Sequence, residues 1–182
     1  SNCQIKNVIN NDSIIFNYMN GNRYEQIVNE MSEWGNTLSA LSYLVKQICL
    51  LNNWSYAEIW CPDNKGNFLT WAGYWGKNEI HFEKFSKYSS YFKFGKGIGL
   101  IGKTWAEKKL IVNDDIINDK SFLRNDVAVK SRFYAAAGIP IIKNDEAVSV
   151  ICIFFEKIDA KEISELTTLY NYLNSTTDRK LP

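Results

Sequence analysis

The segment Gly97–Thr104 reads GIGLIGKT and satisfies two phosphate-binding patterns at once. It fits the P-loop pattern G-x-x-x-x-G-K-[ST], and its glycines also fit the dinucleotide-binding pattern G-x-G-x-x-G. Both patterns bind phosphate only where a buried aliphatic strand precedes the loop and a full helix follows it. Residues 85–94 are polar and aromatic, and only residues 104–109 could form a helix before the next strand. The sequence context therefore argues against a nucleotide site.

Outward from this segment, hydrophobic periodicity predicts an α+β domain. Apolar residues at three- and four-residue steps predict helices, and alternating residues predict strands joined by turn-rich hairpins. The predicted helices are 23–31, 38–51 and 159–174, with shorter ones within 79–91, 104–108 and 113–130. The predicted strands are 56–61, 67–75, 110–112, 133–142 and 148–155. Hairpin connections make the sheet antiparallel, and we expect five or six strands flanked by helices.

Composition and charge favour a packed globule over other classes of protein. The 182 residues are 46% apolar and 14% aromatic, and the net charge is +1, from 21 basic and 20 acidic residues. Without a basic run or stripe, the sequence predicts no binding to nucleic acid and no contact with a membrane. No apolar run approaches the roughly 20 residues that span a bilayer.

The cysteines indicate a reducing compartment and no metal. Cys3, Cys49, Cys61 and Cys152 are scattered, without the spacing of a zinc site. The last three lie in apolar segments, where reduced cysteine behaves as a small hydrophobic residue. We therefore expect a cytoplasmic protein. The chain opens without Met or a signal segment, so we also expect a piece of a longer protein with an output domain downstream.

Two long stretches resemble the GAF family. The stretch at residues 94–141, FGKGIGLIGKTWAEKKLIVNDDIINDKSFLRNDVAVKSRFYAAAGIPI, with AVSVICIFFEK after it, resembles the second half of a GAF domain. The stretch at residues 41–75, LSYLVKQICLLNNWSYAEIWCPDNKGNFLTWAGYW, resembles its opening helix, strand and hairpin. The resemblance implies a GAF-like, profilin-like sandwich over residues 36–158. It gives Gly97, Gly99 and Gly102 a backbone role in a tight strand-to-helix turn.

The resemblance also implies a ligand cavity between one sheet face and the middle segment. Rings would form apolar walls, while an arginine and an aspartate pair could hold a small polar ligand. The alternative is that these rings are core and these charges are solvated. The ligand-binding candidates are Trp71, Phe92, Trp105, Asp114, Asp115, Phe122, Arg132 and Tyr134.

Specialised members of the family can be compared residue by residue. Bilin-binding relatives attach their chromophore through a Cys near the helix that here spans 121–132, and no Cys lies there, which speaks against covalent bilin. Residues 118–126 echo a cyclic-nucleotide signature, but Val127 replaces its Glu. His81, the single histidine, lies in a polar stretch, which speaks against haem. A free-methionine sulfoxide reductase shares the fold, yet Cys61 and Cys152 form no evident reactive pair. We predict no catalytic residues and no metal site.

Two functional hypotheses follow from the resemblance. The first is a cytoplasmic sensory domain that binds an unknown small molecule and relays its state through terminal helices. Its output would be a signalling domain such as a sensor histidine kinase of a two-component system. The second is a ligand-free dimerisation module whose cavity is filled by its own side chains. Both predict a homodimer through the terminal helices. The expected organisation is an extension at 1–22, the GAF-like domain at 23–158 and a connecting helix at 159–182.

Overall fold

The structure, a computed structural model, describes residues 23–176. These residues form six helices and six strands. The helices are α1 (residues 23–31), α2 (Thr37–Asn52), α3 (Ile80–Ser89), α4 (Gly99–Glu107), α5 (Asn125–Lys130) and α6 (Ala160–Thr176). The strands are β1 (Tyr56–Pro62), β2 (Leu69–Gly76), β3 (Lys93–Phe94), β4 (Ile111–Asn113), β5 (Ala135–Lys143) and β6 (Glu146–Phe155).

All six strands belong to one antiparallel sheet. Their order is β3-β2-β1-β6-β5-β4, so β1 and β6 lie at the centre. Hairpins join β1 to β2 and β5 to β6, as the sequence predicts. The pairing of β1 with β2 contains a bulge, because Ile59 pairs with Gly73 while Trp60 pairs with Trp71. The predicted α+β class with a five- or six-stranded antiparallel sheet is confirmed.

Helices α1, α2 and α6 cover one face of the sheet. The Asn36 side chain accepts a hydrogen bond from Ser39 N–H at 2.9 Å and caps the start of α2. The Tyr24 hydroxyl donates to Glu165 Oε2 at 3.1 Å and joins α1 to α6. The apolar sides of the three helices meet inward-facing residues of β1, β5 and β6 in one core. We call α1, α2 and α6 the helical layer.

The 3-4-3 pattern of α6 packs inward rather than outward. The steps of Ile163, Leu166, Tyr170 and Leu173 predict a seam that packs on another helix or on its twin, and both functional hypotheses predict that this seam is exposed. Leu166 and Leu173 are instead fully buried, and the Tyr170 hydroxyl donates to the Lys108 carbonyl at 3.2 Å. The predicted exposure is therefore wrong for Leu166 and Leu173, which pack on the sheet, whereas Ile163 is 43% exposed.

The opposite face of the sheet is covered by α3, α4, α5 and their connections. Its core is rich in aromatic side chains, among them Tyr56 and Trp60 of β1 and Phe154 of β6. The sequence predicts a loop with a short helix within residues 79–91 and no strand at 93–94. In the structure α3 has ten residues, and β3 pairs with the first two residues of β2. None of the described helices combines the length and hydropathy needed to cross a membrane.

The glycine-rich segment is a tight turn into a helix, as predicted. Gly97 and Gly99 have φ of 82° and 62°, a region that favours glycine. Helix α4 begins at Gly99, five residues earlier than the sequence predicts. The Gly97 and Ile98 N–H groups donate to the carbonyls of Gly102 and Gly95 at 2.8 and 3.1 Å. These amides are engaged within the turn, so they do not form a phosphate cradle.

Candidate functional site

A carboxylate lies at the centre of the aromatic face. Glu58, in the middle of β1, is fully buried and points toward α3 and α5. Its neighbours on the same strand face supply two donors: Tyr56 Oη donates to Oε1 at 3.0 Å, and Trp60 Nε1 donates to Oε2 at 3.0 Å. Burial, and then the Glu58 charge, raise the pKa of Tyr56 well above its ordinary value. Its hydroxyl therefore stays a donor.

Arg124 is the counter-ion of this carboxylate. It precedes α5, and its Nη1 donates to Glu58 Oε1 and Oε2 at 3.0 and 2.8 Å. The same nitrogen lies 2.6 Å from Ser89 Oγ, at the end of α3. The side chains of Glu58 and Arg124 are each at least 99% buried. The ion pair therefore joins the central strand to the two helices that cover it.

Aromatic rings surround the Arg124 guanidinium. Its Cζ lies between 5.1 and 5.7 Å from the centres of five rings, within the range of cation–π attraction. Each of these rings comes from a different segment of the chain: Trp60, Phe85, Phe94, Phe122 and Phe154. They replace part of the hydration that a buried cation loses. We call Glu58, Arg124 and these five rings the ion-pair cage.

The cage fills the space in which the resemblance implies a ligand. Beside Arg124, between α4 and residues 122–124, a cavity of about 10 Å³ remains, which is about the room that one water molecule requires. The Arg124 Nε, Trp71 Nε1 and Asn125 Oδ1 atoms are buried without a hydrogen-bond partner among the described residues. The site is thus filled by side chains of the protein, and three of its polar atoms form no hydrogen bond with the described residues.

Four of the eight predicted ligand-binding residues lie on this face. Phe122 contacts the guanidinium directly, and the Phe92 ring lies 6.1 Å from that of Phe94. Trp71 packs against the same core from β2. Trp105 of α4 is buried, and its Nε1 donates to the Ala147 carbonyl at 3.2 Å. The structure brings these four residues together as walls of a filled core.

The other four candidates lie outside this core. Asp114 and Asp115 are exposed in the loop after β4, where the Asp115 carboxylate accepts hydrogen bonds from Asn118. Arg132 is exposed and pairs with Glu156. Tyr134 is 40% exposed. The structure therefore does not assemble an arginine and an aspartate pair around a cavity.

Sequence analysis did not identify the two charged residues of the ion pair, Glu58 and Arg124. Glu58 was visible as an acidic residue in the alternating pattern Tyr56-x-Glu58-x-Trp60, which places all three side chains on one strand face. Arg124 follows Phe122 in a segment without clear periodicity. A buried charge on a central strand needs a counter-ion, which is the available signal, but its partner lies 66 residues away.

A larger cleft lies at the end of the sheet where β1 begins and β6 ends. Its volume is about 550 Å³, and Trp54, Phe82 and Phe155 form part of its wall. The charged residues that line it carry both signs: Glu79, Arg132, Glu156, Lys157, Lys161 and Glu162. Because the charges are balanced, the cleft favours no single ligand chemistry. No group of three or more His, Cys, Asp or Glu within residues 23–176 is arranged to hold a metal.

The described cysteines are not poised as nucleophiles. Cys49 and Cys152 are fully buried, on opposite faces of the sheet, and burial raises the pKa of both thiols. Burial also raises the pKa of the partly exposed Cys61, although its thiol donates weakly to Ser149 Oγ at 3.8 Å. A raised pKa means less thiolate, and the thiolate is the reactive form.

We expect a Cys3→Ser variant to react slowly with a thiol reagent at pH 8. In native protein the buried thiols should react at least about 100-fold more slowly than in urea, since reaction requires opening of the fold. Cys61 should be the fastest of the three. Absorbance-monitored labelling by a disulfide reagent, with mass spectrometry to locate the label, measures both rates. Fast native labelling of Cys152 would contradict the burial described above.

Comparisons with known proteins identify the architecture. No protein-family model matches the chain, and no curated protein matches it. Among solved structures, the GAF domain of a Coxiella burnetii phosphoenolpyruvate-protein phosphotransferase has a TM-score of 0.64 at 20% identity, covering 86% of this chain and 90% of that one. Residues 122 to 287 of a methyl-accepting chemotaxis protein give 0.61 at 13%, covering 87% and 97%.

An enzyme shares the same architecture. Free methionine-R-sulfoxide reductase from Neisseria meningitidis, solved with its substrate, has a TM-score of 0.62 at 15% identity and covers 84% of each chain. Such identities establish the fold alone, and the six-stranded antiparallel sheet with helices on both faces agrees with it. The protein therefore has the fold of a GAF domain.

Proposed function

We propose that this chain is a regulatory domain of a signalling protein and acts through contacts of its helical layer. The ion-pair cage is the observation that carries the proposal. Glu58, Arg124 and five rings occupy the interior between the sheet and α3–α5. A ligand in that space would have to separate a doubly hydrogen-bonded ion pair with no access to water, which is costly.

The similar solved structures support a regulatory role. One is the GAF domain of a phosphotransferase, and another is a segment of a chemotaxis protein. Chemotaxis is a signalling process, and both structures match most of this chain. A domain of this kind that holds no metabolite can still couple neighbouring domains by dimerising.

The helical layer offers the surface for such contacts. Leu50 of α2 is 55% exposed, and Trp34, in the α1–α2 connection, is 44% exposed with its ring 5.6 Å from that of Tyr43. A groove of about 400 Å³ lies between α1 and α2 and includes Ile27, Tyr43 and Leu50. We propose that a second copy packs here, so that the dimer uses the α1–α2 surface instead of the buried stripe of α6.

Native mass spectrometry of the full chain tests this proposal. We expect a dimer for the parent protein and a monomer for the Trp34→Ser/Leu50→Ser variant, because two exposed apolar contacts are lost. The matched control is Tyr91→Ser. Tyr91 is an exposed aromatic residue between α3 and β3, outside the α1–α2 surface, so its loss should leave the dimer intact. A parent protein that stays monomeric at high concentration would refute the proposed interface.

Ligand sensing, with relay to an output domain such as a histidine kinase, is the second candidate. The unpartnered Nε of Arg124 favours it, since a ligand acceptor could satisfy that donor in an opened state. A thermal-shift screen of metabolites and nucleotides separates the two candidates. A ligand at 100 times its Kd adds about 2.7 kcal/mol of stability. A shift that disappears in Arg124→Lys would favour sensing, whereas no shift by any compound favours the contact-based role.

We propose no enzymatic role, although reductases share the fold. The free methionine-R-sulfoxide reductase structures show that this architecture can carry catalysis. In this chain the thiols of Cys49, Cys61 and Cys152 are buried or partly buried with raised pKa values. An assay for reduction of free methionine sulfoxide should therefore give no turnover.

A further inference from the structure

One corner of the sheet carries large apolar side chains at three separate chain connections. Phe68 ends the β1–β2 connection and is 45% exposed, Tyr91 lies in the α3–β3 turn and is 77% exposed, and Ile98 precedes α4 and is 54% exposed. None of the three belongs to the ion-pair cage. Exposed apolar residues clustered in this way mark a contact surface.

The short strand β3 holds these connections together. Phe94 pairs with Leu69, which places Gly95 beside Phe68. A Cβ built on Gly95 would lie 3.8 Å from Ile98 Cγ1 and 3.9 Å from Phe68 Cε1, so both side chains lie against the same glycine. Tyr88 continues the surface along α3, with its ring 5.1 Å from that of Phe92.

The same corner is basic. Residues 84–103 contain five lysines, which are Lys84, Lys87, Lys93, Lys96 and Lys103, and no Asp or Glu. The first four of these lysines are exposed. Nearby acidic groups are Glu83 of α3, Asp63 of the β1–β2 connection and Asp119, which interacts electrostatically with Lys103. The Asp63 carboxylate accepts the N–H groups of Asn67 and Phe68, at 2.8 and 3.4 Å, within its own turn.

We propose that this corner, formed by Phe68, Tyr88, Tyr91, Ile98, Lys87, Lys93 and Lys96, docks the domain onto an anionic lipid surface. The apolar residues project from separate connections and are 45–77% exposed, so they suit insertion among headgroups. Lysines around them would meet lipid phosphates and carboxylates, each worth about a fivefold gain in binding near the surface. Tyrosine is enriched at membrane–water interfaces.

The local charge of this corner differs from the net charge of the whole sequence. A net charge of +1 predicts no attraction to a membrane. The fold, however, brings together lysines of α3, β3 and the β3–α4 connection, within residues 84–103, which contain no Asp or Glu. Local charge, rather than net charge, governs attraction within a Debye length.

Cosedimentation of the full chain with vesicles tests the proposal. Phosphatidylcholine vesicles are compared with vesicles that also contain phosphatidylserine. We expect binding to the anionic vesicles only, weakened by added salt. The Lys93→Gln/Lys96→Gln variant should bind roughly 25-fold more weakly. The Phe68→Ser/Tyr91→Ser/Ile98→Ser variant should lose more than about tenfold. All these positions are exposed, and circular dichroism confirms folding.

Matched controls keep the outcomes distinct. Lys46→Gln and Leu38→Ser change exposed residues of α2 outside the proposed dimer surface and should leave vesicle binding unchanged. Absence of binding to anionic vesicles would overturn the proposal, as would equal losses in the corner and control variants. Retention of an oligonucleotide without vesicle binding would reassign the corner to nucleic acid. Dissociation of a homodimer by the corner variants, again without vesicle binding, would reassign it to self-association.

Discussion

The Arg124→Met variant is expected to lose about 3–5 kcal/mol of unfolding free energy, because it leaves the Glu58 carboxylate buried without its counter-ion. Met fills a similar volume among the five rings, so the loss reports charge more than packing. Urea unfolding followed by tryptophan fluorescence measures it. Tyr56 and Trp60 would still donate to Glu58, but two neutral donors do not compensate a buried charge.

A double-mutant cycle separates the ion pair from its surroundings. Glu58→Gln removes the charge and keeps one acceptor oxygen, which can serve Tyr56 or Trp60 but not both. The Glu58→Gln/Arg124→Met variant should therefore be more stable than the sum of the single losses predicts, with a coupling of about 1–3 kcal/mol. Additive losses, or an Arg124→Met variant as stable as the parent, would show that the two charges do not interact in the folded protein.

Gly102→Ala is the second change with a large expected effect. A Cβ on Gly102 would lie 2.1 Å from the Gly95 carbonyl oxygen, closer than any real contact. Because the neighbour is backbone, relief requires the turn that joins β3 to α4 to move. It would also disturb the 2.8 Å hydrogen bond from Gly97 N–H to the Gly102 carbonyl. We expect a loss of about 3 kcal/mol, the upper end of overpacking costs.

Gly73→Ala is the matched control for this prediction. Gly73 lies in β2, where a Cβ would have no neighbour within 4 Å. Alanine there should leave the unfolding free energy unchanged or raise it by about 0.5–1 kcal/mol, since glycine is entropically costly in a strand. Thermal unfolding of Gly102→Ala and Gly73→Ala compares the stability of the two variants. Equal stability of Gly102→Ala and Gly73→Ala would mean that the glycine segment is not the tight turn described.

The long strands and helices could be predicted from sequence because each carries its own periodicity. Alternation over β5 and β6, with the turn between them, predicts their pairing directly. Strand β3 could not be predicted in this way: it has two residues, and it is a strand only because Leu69 and Thr70 pair with it. The apolar stripe of α6 was visible, but periodicity does not reveal whether the sheet or a second copy covers it.

The candidate site was less accessible to sequence reasoning. The aromatic residues Trp71, Phe92, Trp105 and Phe122 could be placed on one face by resemblance, and the structure does bring them together. The positions of the charged residues could not be predicted in this way. Asp115 forms hydrogen bonds within its own loop, whereas Glu58, inside a strand, requires a counter-ion from a segment distant in sequence. Pairing of two buried charges depends on tertiary structure, which no local pattern encodes.

Nitrogen-15 NMR of the arginine side chains tests most directly whether the interior is closed by Glu58 and Arg124. An Arg124→Lys variant assigns the signal. We expect a resolved Arg124 guanidinium signal at neutral pH with slow hydrogen exchange, lost in Glu58→Gln and unchanged by metabolite mixtures. Rapid exchange of the Arg124 guanidinium in the parent protein, or a ligand-induced shift of its signal, would contradict the account.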